Sequence, residues 1–102
     1  MYIIVTSLYP NDKAKEVADI FVKAMTKYPP DANLGTPIVP VAVLTTLEGI
    51  KTINISEVNK GKLEDALAFA ANRLAMFSEI QGYRYKVETY MNLEEAMKTI
   101  GM

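Results

Sequence analysis

The sequence predicts an α+β domain in which a four-stranded antiparallel sheet carries two long helices on one face. Three observations lead there. Segments with a two-residue alternation and segments with a helical apolar period follow one another as strand, helix, strand, strand, helix, strand. The two middle strands, within Thr36 to Val58, are long and fold back on each other at Glu48-Gly49. The chain has 102 residues, room for one core, since a single core serves roughly 100 to 200 residues; residues 1–102 are therefore expected to form one domain.

Each element has its own signal. Tyr2 to Leu8 is rich in Ile and Val and stops before Pro10, as a buried strand does. Tyr2, Ile4, Thr6 and Leu8 share one face and Ile3, Val5, Ser7 and Tyr9 the other; both are largely apolar, which predicts a central strand covered on both sides. Pro10-Asn11-Asp12 is a helix entry with Asn11 or Asp12 as N-cap. The helix that follows runs to about Lys27, with Val17, Phe21, Ala24 and Tyr28 on one stripe, and Tyr28-Pro29-Pro30 ends it because proline cannot continue the hydrogen-bond ladder. Pro29 to Thr36 is the one long irregular loop.

In the first arm of the hairpin, Pro37 and Pro40 donate no ladder bonds, which suits an edge strand or a bulge. The second arm alternates, with Ile53 and Ile55 expected toward the core and Thr52, Asn54 and Ser56 on the far face. Leu63 to Ile80 carries the strongest helical pattern: Leu63, Leu67, Ala70, Leu74 and Phe77 form a stripe that Phe69, Met76 and Ile80 widen beyond what one sheet requires. Arg73 falls inside that apolar arc, either as a snorkelling side chain or as an anion contact. Gly82 closes the helix, and Tyr83 to Tyr90 is the last strand, with Arg84, Lys86, Glu88 and Tyr90 on one face. Asn92 and Glu95 form a capping-box pattern for a short terminal helix whose apolar side, Leu93, Ala96, Met97 and Ile100, must dock somewhere.

This order is the split βαβ arrangement of the ferredoxin-like fold. On topology, length, the long central hairpin and the terminal helix, the whole chain resembles the dimeric α+β barrel superfamily, in which two ferredoxin-like subunits bring their open sheet faces together. The segment Met76 to Gly101 also looks like the ends of small uncharacterised proteins of this kind. The resemblance implies a homodimer or higher oligomer. It also admits a range of roles, from cofactor-free monooxygenases and isomerases to proteins without known activity.

Composition narrows the chemistry. Eleven basic and twelve acidic residues give a net charge of −1, which supplies no general field for nucleic acid or anionic membranes, so neither is an expected partner. Without Cys or His there is no thiol nucleophile, no imidazole base and no ordinary zinc or haem ligand; no metal site and no cofactor are expected. The first nine residues lack a signal-peptide pattern and no apolar run approaches a membrane span of roughly 20 residues, so the expected location is cytoplasmic. The third strand has no aromatic residue for stacking RNA bases, the loop after the first strand has neither the CxxC of a metal chaperone nor the Arg of an acylphosphatase, and no phosphate-binding glycine motif occurs.

What remains is a small-ligand or partner surface on the far side of the sheet. The candidate ligand-binding residues there are Thr52, Asn54, Arg84, Glu88 and Tyr90, facing a small apolar ligand or a second copy of the chain; no catalytic residue is assigned. The alternative is a cofactor-independent monooxygenase- or isomerase-like enzyme for a small apolar or aromatic substrate. Its site would be a pocket between sheet and helices, or inside a dimer barrel, lined by Tyr, Thr and Asn with a charged group.

Overall fold

The computed structural model describes residues 1–102. Its elements are β1 (Tyr2–Tyr9), a 3-10 turn (Asn11–Lys13), α1 (Ala14–Lys27), β2 (Gly35–Thr45), β3 (Ile50–Val58), α2 (Leu63–Ala75), β4 (Arg84–Tyr90) and α3 (Leu93–Thr99). The strands make one antiparallel sheet in the order β2-β3-β1-β4, the ferredoxin-like arrangement. β1 is central, as its two apolar faces predict, and β2, with its two prolines, lies at an edge. The β2–β3 register slips between Pro37 and Val39 and again between Val39 and Ala42, where the missing proline donors interrupt the ladder.

Local chemistry sets most boundaries. Gly49 turns the hairpin at φ 144°, and a side chain there would run into the Tyr9 carbonyl. Asn92 accepts from the Glu95 N–H at 2.8 Å while the Glu95 carboxylate accepts from the Asn92 N–H at 2.9 Å, completing the predicted capping box. Three expectations shift. Asn11 does not cap α1; its side-chain amide reaches across to the Thr46 carbonyl at the hairpin tip, 3.3 Å away. α2 ends at Ala75 rather than Ile80, because from Met76 onward the backbone switches to tighter three-residue turns. The apolar side of α3 is only partly covered within the chain: Ala96 and Met97 are half-buried, while Leu93, Ile100 and Met102 stay exposed.

Both long helices lie on the face of the sheet that carries Ile3, Val5, Ser7 and Tyr9, all of them buried. Two small clusters make up the packed core. Tyr9, Val17, Ala24, Phe77 and Ile80 form one, and Ile3, Val5 and Leu74 the other. Only 10 of 102 residues are buried, so the helices cannot be seated along the whole sheet. The molecule is 49 Å long, with a radius of gyration of 14.9 Å, against about 13 Å for a compact chain of this length. No helix is long and apolar enough to cross a membrane.

Pairing register decides what each face of β3 presents. Residues directly opposite in an antiparallel ladder point to the same side. Asn54 pairs with Val5, Thr52 with Ser7 and Ser56 with Ile3, so these three polar residues lie under the helices. Ile55 pairs with Ile4, itself opposite Glu88, and Ile53 pairs with Thr6, so both isoleucines lie on the open face. The expected orientation of β3 is therefore reversed. The rule that apolar residues point to the core fails here because the open face of β1 is apolar as well.

Candidate functional site

Between the helix face of β1, β3 and β2 and the two helices there is a cavity of about 640 Å³. No residue of β4 lines it. It exists because α1 and α2 close over β1 through Val17, Ala24 and Leu74, and Phe77 does so from the turn after α2, while the β2 side of the sheet is left without a tight cover. Of its 32 lining residues, 20 are hydrophobic, among them Phe21, Val41, Phe69 and Leu74. The volume and the apolar walls match small-molecule sites, which span about 300 to 1,000 Å³.

The floor is polar. Ser7 and Thr52 face each other across the β1–β3 ladder, Asn54 follows beside Val5, and Ser56 beside Ile3. Asn54 sits against the slipped stretch of β2 between Val39 and Ala42, where the edge strand bows away from regular pairing. The side chains of Thr52, Asn54 and Ser56 are half-buried and make no hydrogen bond to the rest of the protein. The Tyr83 hydroxyl donates to Ser7 Oγ at 2.9 Å. Its ring is stacked on Phe77, with centroids 4.8 Å apart, and on Tyr9 at 5.9 Å, so that three aromatic residues close the cavity at the end of β1.

Arg73 lines the cavity from α2. Its Nε donates to the Tyr28 carbonyl at the end of α1 at 2.8 Å, Nη2 donates to the same oxygen, and the guanidinium lies over the Phe69 ring, 4.5 Å from its centroid. Tyr28 in turn meets Phe69 edge-on. These contacts join the two helices and use the wide apolar arc that a single sheet would not need. Burial lowers the Arg73 pKa from its ordinary value, yet a guanidinium remains a cation at neutral pH. Burial raises the pKa values of Tyr9 and Tyr83, so both phenols stay protonated and serve as hydrogen-bonding groups.

The sequence-predicted site residues are not brought together. Thr52 and Asn54 lie in the cavity, while Arg84, Glu88 and Tyr90 lie on the opposite, open face of the sheet. There Lys86 Nζ is 3.3 Å from Glu88 Oε1 and the Tyr90 hydroxyl is 3.4 Å from Glu88 Oε2, so the carboxylate is held by its own strand. Sequence reasoning placed Ser56 on the same strand face as Thr52 and Asn54 and weighed Arg73 as a snorkelling side chain or an anion contact, but it did not assign Ser7 or Tyr83 to a site. The available signals were a lone hydroxyl among Ile3, Val5 and Tyr9, and a cation inside an apolar helical arc.

The open face is the counterpart of the cavity. Ile4, Leu8, Ile53 and Ile55 are half-buried there, flanked by Arg84, Lys86 and Glu88 on β4 and by exposed Leu44 on β2.

Comparison with known proteins agrees with this architecture. No family model matches the chain, and no curated protein matches it significantly. Among solved structures, it is similar to a formyltetrahydrofolate deformylase from Pseudomonas putida KT2440, with 9% identity and a TM-score of 0.56, over 88% of this chain. The likeness spans only 29% of the deformylase. It is also similar to a putative antibiotic biosynthesis monooxygenase from Deinococcus radiodurans, with 13% identity and a TM-score of 0.50, over 90% of this chain and 94% of that one. At these identities the likeness is one of fold, and the fold is ferredoxin-like.

Proposed function

We propose that this chain is a small-ligand-binding domain whose site is the cavity between sheet and helices, and that it works as a homodimer joined through the open sheet face. The observation that carries the ligand reading is the strip Thr52, Asn54 and Ser56, polar groups without protein partners at the floor of an otherwise apolar cavity. Half-buried polar side chains lose part of their hydration, and a ligand that supplies hydrogen bonds restores it. The walls favour a small apolar or aromatic body. A crystal structure of protein purified without stripping its ligand, with native mass spectrometry, is expected to show a co-purified molecule against Asn54. A molecule bound instead at Arg84, Glu88 and Tyr90 would overturn this placement.

The dimer reading draws on the apolar centre and charged rim of the open face, the pattern of a subunit interface. Light scattering should give twice the chain mass at micromolar concentration; a stable monomer would sink it.

A second reading is cofactor-independent monooxygenase- or isomerase-like catalysis on a small aromatic substrate in the same cavity. It is favoured by the Tyr83–Ser7 hydroxyl pair and Asn54 lying in one apolar enclosure. Dioxygen uptake or isomerisation with added aromatic phenols, lost in Asn54→Ala, would support it, and inertness across such a panel would count against it.

A further inference from the structure

The charge distribution around the cavity specifies its ligand more closely. Arg73 is the one cationic side chain on the wall. No carboxylate lies within 4.0 Å of its guanidinium, since the ion pairs of the chain are Met1–Glu95, Lys13–Glu16, Lys86–Glu88 and Lys98–Glu94. Two acidic residues also border the cavity, and neither neutralises it. Asp31 Oδ1 accepts the Asn33 N–H within its own loop at 2.9 Å, and Glu57, opposite Tyr2, carries its side chain on the other side of the sheet.

The Tyr28 carbonyl and the Phe69 ring hold the guanidinium in place from one side, which removes much of the rotamer freedom an arginine loses when it binds an anion. The remaining guanidinium N–H groups have no protein acceptor. Arg73 follows Phe69 by one helical turn, so the cation lies over that ring on the helix wall.

We infer that the cavity takes an amphipathic monoanion, a small apolar or aromatic body bearing one carboxylate-like group that pairs with Arg73. The inference rests on the cavity reading above and adds the charge of the ligand. The apolar body lies along Phe21, Val41 and Phe69, and Thr52, Asn54 and Ser56 serve whatever further polar atoms it carries. Hydrogen bonds between a guanidinium and a carboxylate are charge-assisted and planar on both sides, and a partly desolvated site strengthens them.

The test uses two pairs of probes, 2-naphthoate with 2-naphthamide and octanoate with octanamide, titrated calorimetrically into the full chain. Each pair differs in charge and little in shape. The wild type should bind a carboxylate at least about tenfold more tightly than its amide, the ratio expected of one charge-assisted pair. In Arg73→Gln this ratio should fall to near one while the amide still binds; Arg73→Lys, which keeps the charge, should retain a preference for the carboxylate. Equal affinity for acid and amide in the wild type, or an unchanged ratio in Arg73→Gln, overturns the inference and leaves the cavity reading standing. Binding that is insensitive to Ala70→Trp, which fills the cavity, or no binding of any probe at millimolar concentration, overturns the cavity reading and the inference together.

Discussion

The two faces of β3 differ in a way an isolated domain would not choose. Under the helices it presents Thr52, Asn54 and Ser56, and away from them Ile53 and Ile55. In a sheet with one covered face, apolar side chains normally turn inward and polar ones outward. The reversal teaches that neither face of this strand is finished within the single chain. The polar inner face asks for hydrogen bonds that a ligand can supply, and the apolar outer face asks for cover that a second copy can supply. The neighbouring strand β1 shows what completion looks like, because its inner residues Ile3, Val5 and Tyr9 are packed by α1 and α2 and its inner hydroxyl, Ser7, is paired with Tyr83.

This contrast can be broken at several points. The largest effect is expected at the outer face. Ile55→Asp would set a charge in the middle of the apolar patch beside Ile4, and the proposed dimer should weaken by about 100-fold or more, since an unpaired buried charge at an interface costs several kcal/mol. Sedimentation across a concentration series reads the change. The fold itself should survive, because in the single chain this position is only half-buried.

The inner face gives a smaller and opposite-signed result. Asn54→Leu replaces an unpartnered polar group by an apolar one of similar size, and the fold should gain about 0.5 to 1 kcal/mol, raising Tm by a few degrees, about 4 °C. The same change should weaken binding of the proposed ligand by about tenfold, the loss of one hydrogen-bonding anchor. A variant that is less stable, or that keeps its ligand unchanged, would show that Asn54 is serving the fold.

A third change tests the finished part of the molecule. Tyr83→Phe leaves Ser7 without its donor at the packed end of the cavity and should cost about 1 kcal/mol at neutral pH. It should also change the alkaline limb of the stability curve. Burial raises the Tyr83 pKa above its ordinary 10.0, so the folded state holds the proton more firmly than the unfolded state. Stability is intact below the unfolded value and falls as pH rises from there through the folded value. Chemical denaturation between pH 8 and 11 should show this fall in the wild type and a shallower one in Tyr83→Phe.

Much of the fold is legible along the chain because it rests on local chemistry. The Asn92–Glu95 capping box, the hairpin turn at Gly49 and the stop at Pro29-Pro30 each follow from a few adjacent residues, and the structure has all three where expected. The candidate site is legible only in part. Thr52 and Asn54 were recognisable as a polar strip, but their grouping with Arg84, Glu88 and Tyr90 assumed a strand orientation that local pattern cannot supply. A side-chain period of two means that one step of register transfers every residue of a strand to the other face. β1 is apolar on both faces, so hydrophobic matching accepts either orientation of β3.

The sequence by itself therefore determined the elements, their order, the absence of thiol and imidazole chemistry, and the presence of one cation in an apolar helical arc. Only the tertiary structure decided that Thr52, Asn54 and Ser56 turn under the helices and that Arg73 joins them around one cavity. The physical reason is that propensity, caps and turns act over a few residues, whereas the face a strand presents depends on pairing between segments some fifty residues apart, Val5 with Asn54 and Ser7 with Thr52.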